Sequence, residues 1–344
     1  MGNRQRDPVE ASADRSADLY EIADWEARSL FDKLVTALYY AGRWALGGLV
    51  VLAAIVILLL QLFFGSLGAL GVQPLFGALA ALSAIPALVL AAYIWYADVT
   101  TQEPLTLLVG TFLLGVLFAG FAGILNTVFR APVTTVGSVF GLLPFLGQMA
   151  FFFLIVGPVE EAVKLLAVRL YAYRDDRFDA VIDGAVYGAA AGLGFATIEN
   201  ALYIVQNTDM VTGTLQAFSE GGDIAAVRAL AGPGHVIYSA FAGYYLGLAK
   251  FNPEDAGPIV LKGLLIATVI HASYNTLAGP VTVVLSALYG IPQFFAFVGF
   301  VVVFDGVFIL LLLRKLDAYR QAYLTAHEGG DGRREDDTIP TFDP

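Results

Sequence analysis

Apolar runs longer than 18 residues recur along this chain of 344 residues, and nothing else limits its fold as strongly. A run of that length crosses the hydrocarbon core of a bilayer. There every backbone N–H and C=O must find its partner inside the protein, which leaves helices and closed barrels. A barrel would show alternating segments of about ten residues, and the runs here are continuous. The composition agrees: 58% of residues are hydrophobic, 14% are charged and the mean hydropathy is +0.72. Soluble domains carry about 25% charged residues. The expected fold is all-α, a polytopic transmembrane helical bundle embedded in a lipid bilayer.

Eight spans are expected: Trp44–Phe64, Phe76–Tyr96, Leu105–Leu125, Leu146–Leu170, Ala180–Val205, Ile224–Leu248, Ile259–Ala278 and Pro292–Leu313. Residues from Leu30 to Trp44 mix apolar and basic side chains, as an interfacial helix does. Thr282–Tyr289 reads as a short re-entrant or interfacial piece. Basic residues cluster in the N-terminal tail, after span four (Arg169, Arg174, Arg177), after span six (Lys250, Lys262) and at the C-terminal end (Arg314, Lys315, Arg320). The positive-inside rule then puts both termini in the cytoplasm. The chain divides into a cytoplasmic tail (1–29), an interfacial helix with spans one to three (30–145), a core of spans four to seven (146–279), the last span (280–316) and an acidic cytoplasmic tail (317–344). The first 40 residues show no signal-peptide pattern. Cysteine is absent, which excludes disulfides, Cys-ligated metals and a Cys nucleophile. The net charge is −11, concentrated in the tails and loops, and no nucleic-acid partner is expected. The sequence says nothing of oligomeric state.

The core carries ionisable groups where a lipid-spanning helix should have none. Span four contains Glu160, Glu161 and Lys164; span five, Glu199 and Asn200; span six, Arg228 and His235; span seven, His271 and Asn275. Such groups are costly in a bilayer, face protein or water, and mark function. The i, i+3 and i, i+4 spacings of Glu161, Glu160 and Lys164 put them near one helical face, and His271 and Asn275 share a face likewise. With the orientation above, all of these lie within a few turns of one level. Gly157-Pro158 and Pro233-Gly234 interrupt the helices just before the Glu pair and His235. Gly184, Gly188 and Gly192, and Gly243 and Gly247, give spans five and six faces for close helix approach. Asp183 and Asp305 suggest only structural roles, and His327 a solvated one.

Two uses fit such a set. One is activation of water, with a glutamate as general base or with a metal ion. The other is a proton relay in an ion-coupled transporter. HExxH, GxSxG and P-loop motifs are all absent.

In order, the motifs are Glu160-Glu161-x-x-Lys164, Asp183-Gly184, Gly194-Phe195-x-x-x-Glu199-Asn200, Arg228 with Pro233 and His235, and His271-x-x-x-Asn275. Together they resemble the PrsW family of intramembrane proteases, relatives of the CAAX-prenyl endopeptidases, over about Gly157 to Asn275. The resemblance implies hydrolysis of peptide bonds in a membrane-protein substrate. It implies Glu160 as base with Glu161 as its partner, and His271 and Asn275 as oxyanion donors. It leaves His235 to supply the imidazole, with Lys164 in the position of an Arg and Glu199 in that of a His. Asn200 and Arg228 support the set. A zinc ion, if bound, would take His235, His271 and Glu199, with an open fourth position. Family members near PrsW cleave the extracytoplasmic part of an anti-sigma factor. The alternatives are the transporter and an inactive relative acting as a scaffold; the latter disagrees with a motif set in which no position is lost.

Overall fold

The computed structural model describes residues 7–14, 17–42, 74–139, 144–207 and 214–334. Helices dominate, and among the described residues the only extended pairing is an isolated bridge between Tyr20 and Asp24. A short α1 (Pro8–Ser12) and an α2 over 30–42 precede the bundle. The bundle itself comprises α3 (Pro74–Tyr96), α4 (Leu105–Val139), α5 (Pro144–Phe151), α6 (Gly157–Leu170), α7 (Val181–Asn207), α8 (Thr214–Phe251), α9 (Ala256–Tyr289) and α10 (Gln293–Arg334). Five of these hold stretches long and apolar enough to cross a membrane: Gly77–Tyr96, Leu105–Val133, Val181–Asn207, Ala256–Tyr289 and Gln293–His327. The protein is a multi-pass membrane protein. The first expected span, Trp44–Phe64, lies outside the described residues.

The expected fourth span is not one regular helix. A π-helical turn over Phe152–Val156 joins α5 to α6, whose first turn holds Pro158. Proline lacks the N–H that would continue the preceding ladder, and a wide turn absorbs that loss. Pro233 and Pro280, by contrast, sit inside unbroken helices. The separate piece expected at Thr282–Tyr289 does not exist, because α9 runs through it and stops at Gly290, in the left-handed conformation (φ 63°) that suits glycine. One proline bends such a helix but leaves the apolar residues beyond it no better hydrogen-bonding option than helix.

Buried almost along its whole length, α7 forms the centre of the bundle and packs on α8, α4 and α3. Its glycines explain the closeness. A Cβ on Gly184 would stand 2.1 Å from the Gly243 carbonyl oxygen, and one on Gly188 would stand 2.2 Å from that of Ser239. No side chain fits there, so backbone meets backbone along the seam.

At one end of the bundle the N-terminal segment packs across the helix termini. The Asp7 carboxylate accepts the Val181 N–H at the start of α7 and the Tyr319 hydroxyl of α10. Lys262 of α9 bridges Glu21 and Asp32, and Lys315 of α10 reaches Glu21 at 3.3 Å. The N-terminal segment and the C-terminal half of α10 therefore meet at the same end.

Candidate active site

In the other half of the bundle, α6, α7, α8 and α9 bring their ionisable residues together. Glu160, Glu161, Lys164, Asn200, His235 and His271 are all buried. Lys164 is the hub of one half of the network. Its Nζ donates to Glu161 Oε1 at 2.6 Å, lies 3.0 Å from His235 Nδ1 and stands 4.4 Å from the centre of the Phe195 ring. Phe195 also stacks on His235, with ring centres 5.4 Å apart.

The contacts assign the imidazole tautomers. An ammonium has only hydrogens to offer, so His235 Nδ1 accepts from Lys164. Its Nε2–H then donates to Glu199 Oε2, 2.8 Å away. His271 Nδ1 lies 2.7 Å from Glu161 Oε1 and donates to it. That leaves His271 Nε2 with a lone pair facing Glu160 Oε2 at 3.7 Å, beyond hydrogen-bond distance. A carboxylate behind a histidine orients the ring and raises its basicity, the usual support of a ligating or proton-accepting imidazole. It also means that His271 donates to an oxyanion through Nε2 only when the ring is protonated. Tyr238 stacks on His271 at 5.1 Å, and the two histidine rings meet edge to face at 5.2 Å.

Charge pairing separates the three glutamates. Glu161 has Lys164, and Glu199 has Arg228. Arg228 is held in turn by Asn200 Oδ1 at 2.8 Å and by the Tyr203 ring at 4.3 Å, while Asn200 Nδ2 reaches Ser83 Oγ of α3 at 3.1 Å. Glu160 has no Lys or Arg partner among the described residues. Its Oε1 accepts a neutral hydrogen bond from Asn126 Nδ2 of α4 at 2.9 Å, and its buried Oε2 has no hydrogen-bond donor.

The expected residues thus converge, apart from one whose side chain stands alone. Asn275 is half-buried one turn beyond His271 and hydrogen-bonds to no described side chain. Asn126, Ser83, Tyr203 and Tyr238 also belong to the site, and the sequence pattern does not single them out. Asn126 has a usable signal, a polar side chain at the end of an apolar run, but a span ending at Leu125 excludes it; α4 in fact continues to Val139.

Glu160, His235 and His271 each present a ligand atom, all within 4.8 Å of one another. Two ligands about 2.1 Å from a tetrahedral zinc stand about 3.4 Å apart, close to the Glu160–His271 spacing. The facing, donor-free oxygen and nitrogen suit a cation, so the residues fit a metal ion. Glu160 stands in this trio in place of the expected Glu199, which remains on His235 and Arg228.

A family model described as PrsW family intramembrane metalloprotease matches residues 103–307, more than half of the chain. Protease PrsW of Geobacillus kaustophilus (strain HTA426) is 31% identical over 193 residues, covering 56% of this chain and 76% of the relative. Protease PrsW of Bacillus subtilis (strain 168) is 30% identical over 192 residues, covering 55% and 78%. That of Oceanobacillus iheyensis is 31% identical over 197 residues, covering 55% and 78%. No solved structure matches. The chain belongs to the PrsW family of intramembrane metalloproteases, membrane peptidases that act on membrane-protein substrates within the bilayer.

Proposed function

We propose that Glu160 takes the proton of the attacking water during hydrolysis of the substrate peptide bond. The observation that carries this reading is the pairing pattern. Of the site's three glutamates, Glu160 alone has no ammonium or guanidinium paired with it among the described residues. Its charge is free to be met by a proton from the reacting water. Asn126 fixes one oxygen, so the carboxylate is held in one orientation. Glu161 and Lys164 set the two imidazoles rather than reacting themselves. Asn275, whose amide engages no described side chain, is assigned to the oxyanion, one turn from His271 on the same face.

A zinc ion would be held by the imidazoles of His235 and His271, with Glu160 beside it and free to act as base, and would supply Lewis-acid polarisation of the carbonyl and a more acidic bound water. Both ring nitrogens of His235 are engaged, so ligation there replaces its bond to Lys164 or to Glu199.

The substrate class we infer is a single-span, anti-sigma-factor-like protein cut in or beside the outer half of the bilayer. The family membership and the position of the site, away from the end where the N-terminal segment meets α10, support this reading. The basic-residue pattern supports eight spans with both termini cytoplasmic. The test is cleavage of single-span substrates in proteoliposomes by wild type and Glu160→Gln, with metal content measured on both. Loss of a general base costs on the order of 10²–10⁴-fold in rate. The expected variant is inactive to that degree, folded, and equal to wild type in metal content. Near-wild-type cleavage overturns the assignment; joint loss of metal and activity makes Glu160 a ligand rather than the base.

A further inference from the structure

About 24 Å along α7 from Glu199, by helix rise, a second group of acids gathers where the loop over 97–104 meets the start of α7. Asp98, Glu103 and Asp183 each present a carboxylate oxygen, all within 4.8 Å of one another. Each carboxylate has a structural tie that fixes it. Asp183 Oδ2 accepts the backbone N–H groups of Asp179 (2.7 Å) and Ala180 (2.8 Å), which turns the chain into α7. Asp98 Oδ1 accepts the Thr100 N–H at 2.9 Å and its hydroxyl at 2.8 Å. Glu103 Oε2 accepts from the Tyr187 hydroxyl, one turn beyond Asp183 on α7.

The remaining oxygens are poorly supplied. Among the described residues Asp98 Oδ2 and Glu103 Oε1 are buried with no hydrogen-bond donor, Asp183 Oδ1 accepts from the Thr100 hydroxyl at 3.4 Å, and the Glu103 and Asp183 carboxyls stand close enough to share a proton. Glu103 is 2% exposed and Asp183 0%. No described Lys, Arg or His forms an ion pair with any of the three. Lys250 spends its ammonium on the carbonyls of Tyr173, Asp175 and Phe178, and Arg177 pairs with Asp175. Burial pushes the Glu103 carboxyl up to about 7, with Asp98 and Asp179 adding to the effect, and it raises Asp98 too. A buried charge that finds no partner is costly, and proteins meet it with a proton, a side chain or a metal.

We propose that Asp98, Glu103 and Asp183 form a site for a hard divalent cation, calcium or magnesium, distinct from the protease centre. The donor set is all oxygen and anionic, which selects hard ions over the zinc that imidazoles favour. Bound there, the ion ties the α3–α4 connection to the N-terminus of the central helix. Asp98 precedes the segment shared with the family, so one ligand comes from outside it.

Terbium, a luminescent substitute for calcium, tests this on the full chain purified in detergent and stripped of metals. Tyr187 touches Glu103 through its hydroxyl, and the Trp95 indole N–H donates to the Glu103 carbonyl at 3.1 Å, so both rings lie where they can excite a bound lanthanide. The expected result is saturable emission, displaced by calcium or magnesium. Affinity should fall at least about tenfold in Asp98→Asn and in Glu103→Gln, and stay unchanged in Glu160→Gln. Asp98→Asn keeps the acceptor for Thr100, so it should fold; a thermal melt checks this. Calcium or magnesium should raise the melting temperature of wild type and not of these two variants. Equal terbium binding by wild type, Asp98→Asn and Glu103→Gln overturns the proposal, as does binding that disappears in Glu160→Gln. So does a wild type indifferent to either cation while Asp98→Asn melts higher, the pattern of carboxyls that share a proton.

Discussion

Replacing Glu161 with Gln separates the structural use of the paired glutamates from the chemical one. In the native protein the Lys164 ammonium is 1% exposed and has three neighbours: Glu161 at 2.6 Å, His235 Nδ1 at 3.0 Å and the Phe195 ring at 4.4 Å. Only the first carries opposite charge. Glu161→Gln keeps the shape and an amide oxygen but leaves the ammonium buried with an imidazole and a ring. Breaking a buried pair in this way costs about 3–5 kcal/mol, because the surviving charge has lost its compensation. For a chain of this size that is a fall in melting temperature on the order of 10 °C. Thermal unfolding in detergent, followed by tryptophan fluorescence, measures it. The double variant Glu161→Gln/Lys164→Met removes the stranded charge, and replacing a whole buried pair by apolar or neutral groups is often close to neutral. It should therefore melt above the single variant while still cleaving poorly, since His271 has lost the carboxylate that orients it. A single variant that melts with wild type, or a double variant that melts below the single one, would refute the reasoning.

Three further outcomes follow from the geometry. Asn126→Leu removes the one described hydrogen bond to Glu160, and leaving a buried acceptor unmet costs about 1–3 kcal/mol; cleavage should fall clearly in a substrate assay, while Asn126→Asp, which cannot donate when ionised, should fall further. Gly243→Leu forces side-chain atoms against the Gly184 carbonyl oxygen, which would already lie 2.0 Å from a Cβ; the α7–α8 seam should part at a cost of about 1–3 kcal/mol or more, seen as a lower melting temperature and loss of activity together. The third concerns pH. Burial holds the Glu103 carboxyl at about 7 in the folded protein, against 4.5 for an ordinary glutamate, so the folded state binds its proton more tightly. Its contribution is fully present below 4.5 and is lost as pH rises through 7. Cation-free protein should thus melt lower at about pH 8 than at about pH 5, and Glu103→Gln should flatten that slope; an unchanged slope in the variant would assign it to other groups.

The convergence of charges was legible because a charge inside an apolar run has few places to go. Glu160, Glu161, Lys164, Glu199, Arg228, His235 and His271 each stand out against their own helix, and orientation alone put them at similar depth. Who pairs with whom was not legible. Spacing sets Glu160 and Glu161 almost equally near Lys164, at i+4 and i+3, yet only Glu161 binds it, while Glu160 turns toward α4 and α9. That choice depends on helix rotation, which the packing of α6 against its neighbours decides and no local pattern records. The span count is a case of the same kind: five helices are long and apolar enough to cross a membrane, and neither the interrupted α5–α6 stretch nor α8, both expected as spans, is among them.

Asp183 shows where local reading ends altogether. Within its own helix it is an ordinary first-turn acid, and its spacing names no partner. Its partners come from a loop some eighty residues earlier, one of them buried beside Pro104 and the other in a turn around Thr100. Such a cluster is invisible until the bundle closes, because two members have a local reason to be acidic, a helix start and an Asx-type turn, and the third, Glu103, lies in a loop where an acid breaks no rule. What the closed bundle adds is three carboxyl groups in one box, and that gathering has no local explanation. The protease centre stands out in the sequence because its charges violate the rule of their surroundings. The acidic cluster obeys the local rule at every position and breaks it only collectively.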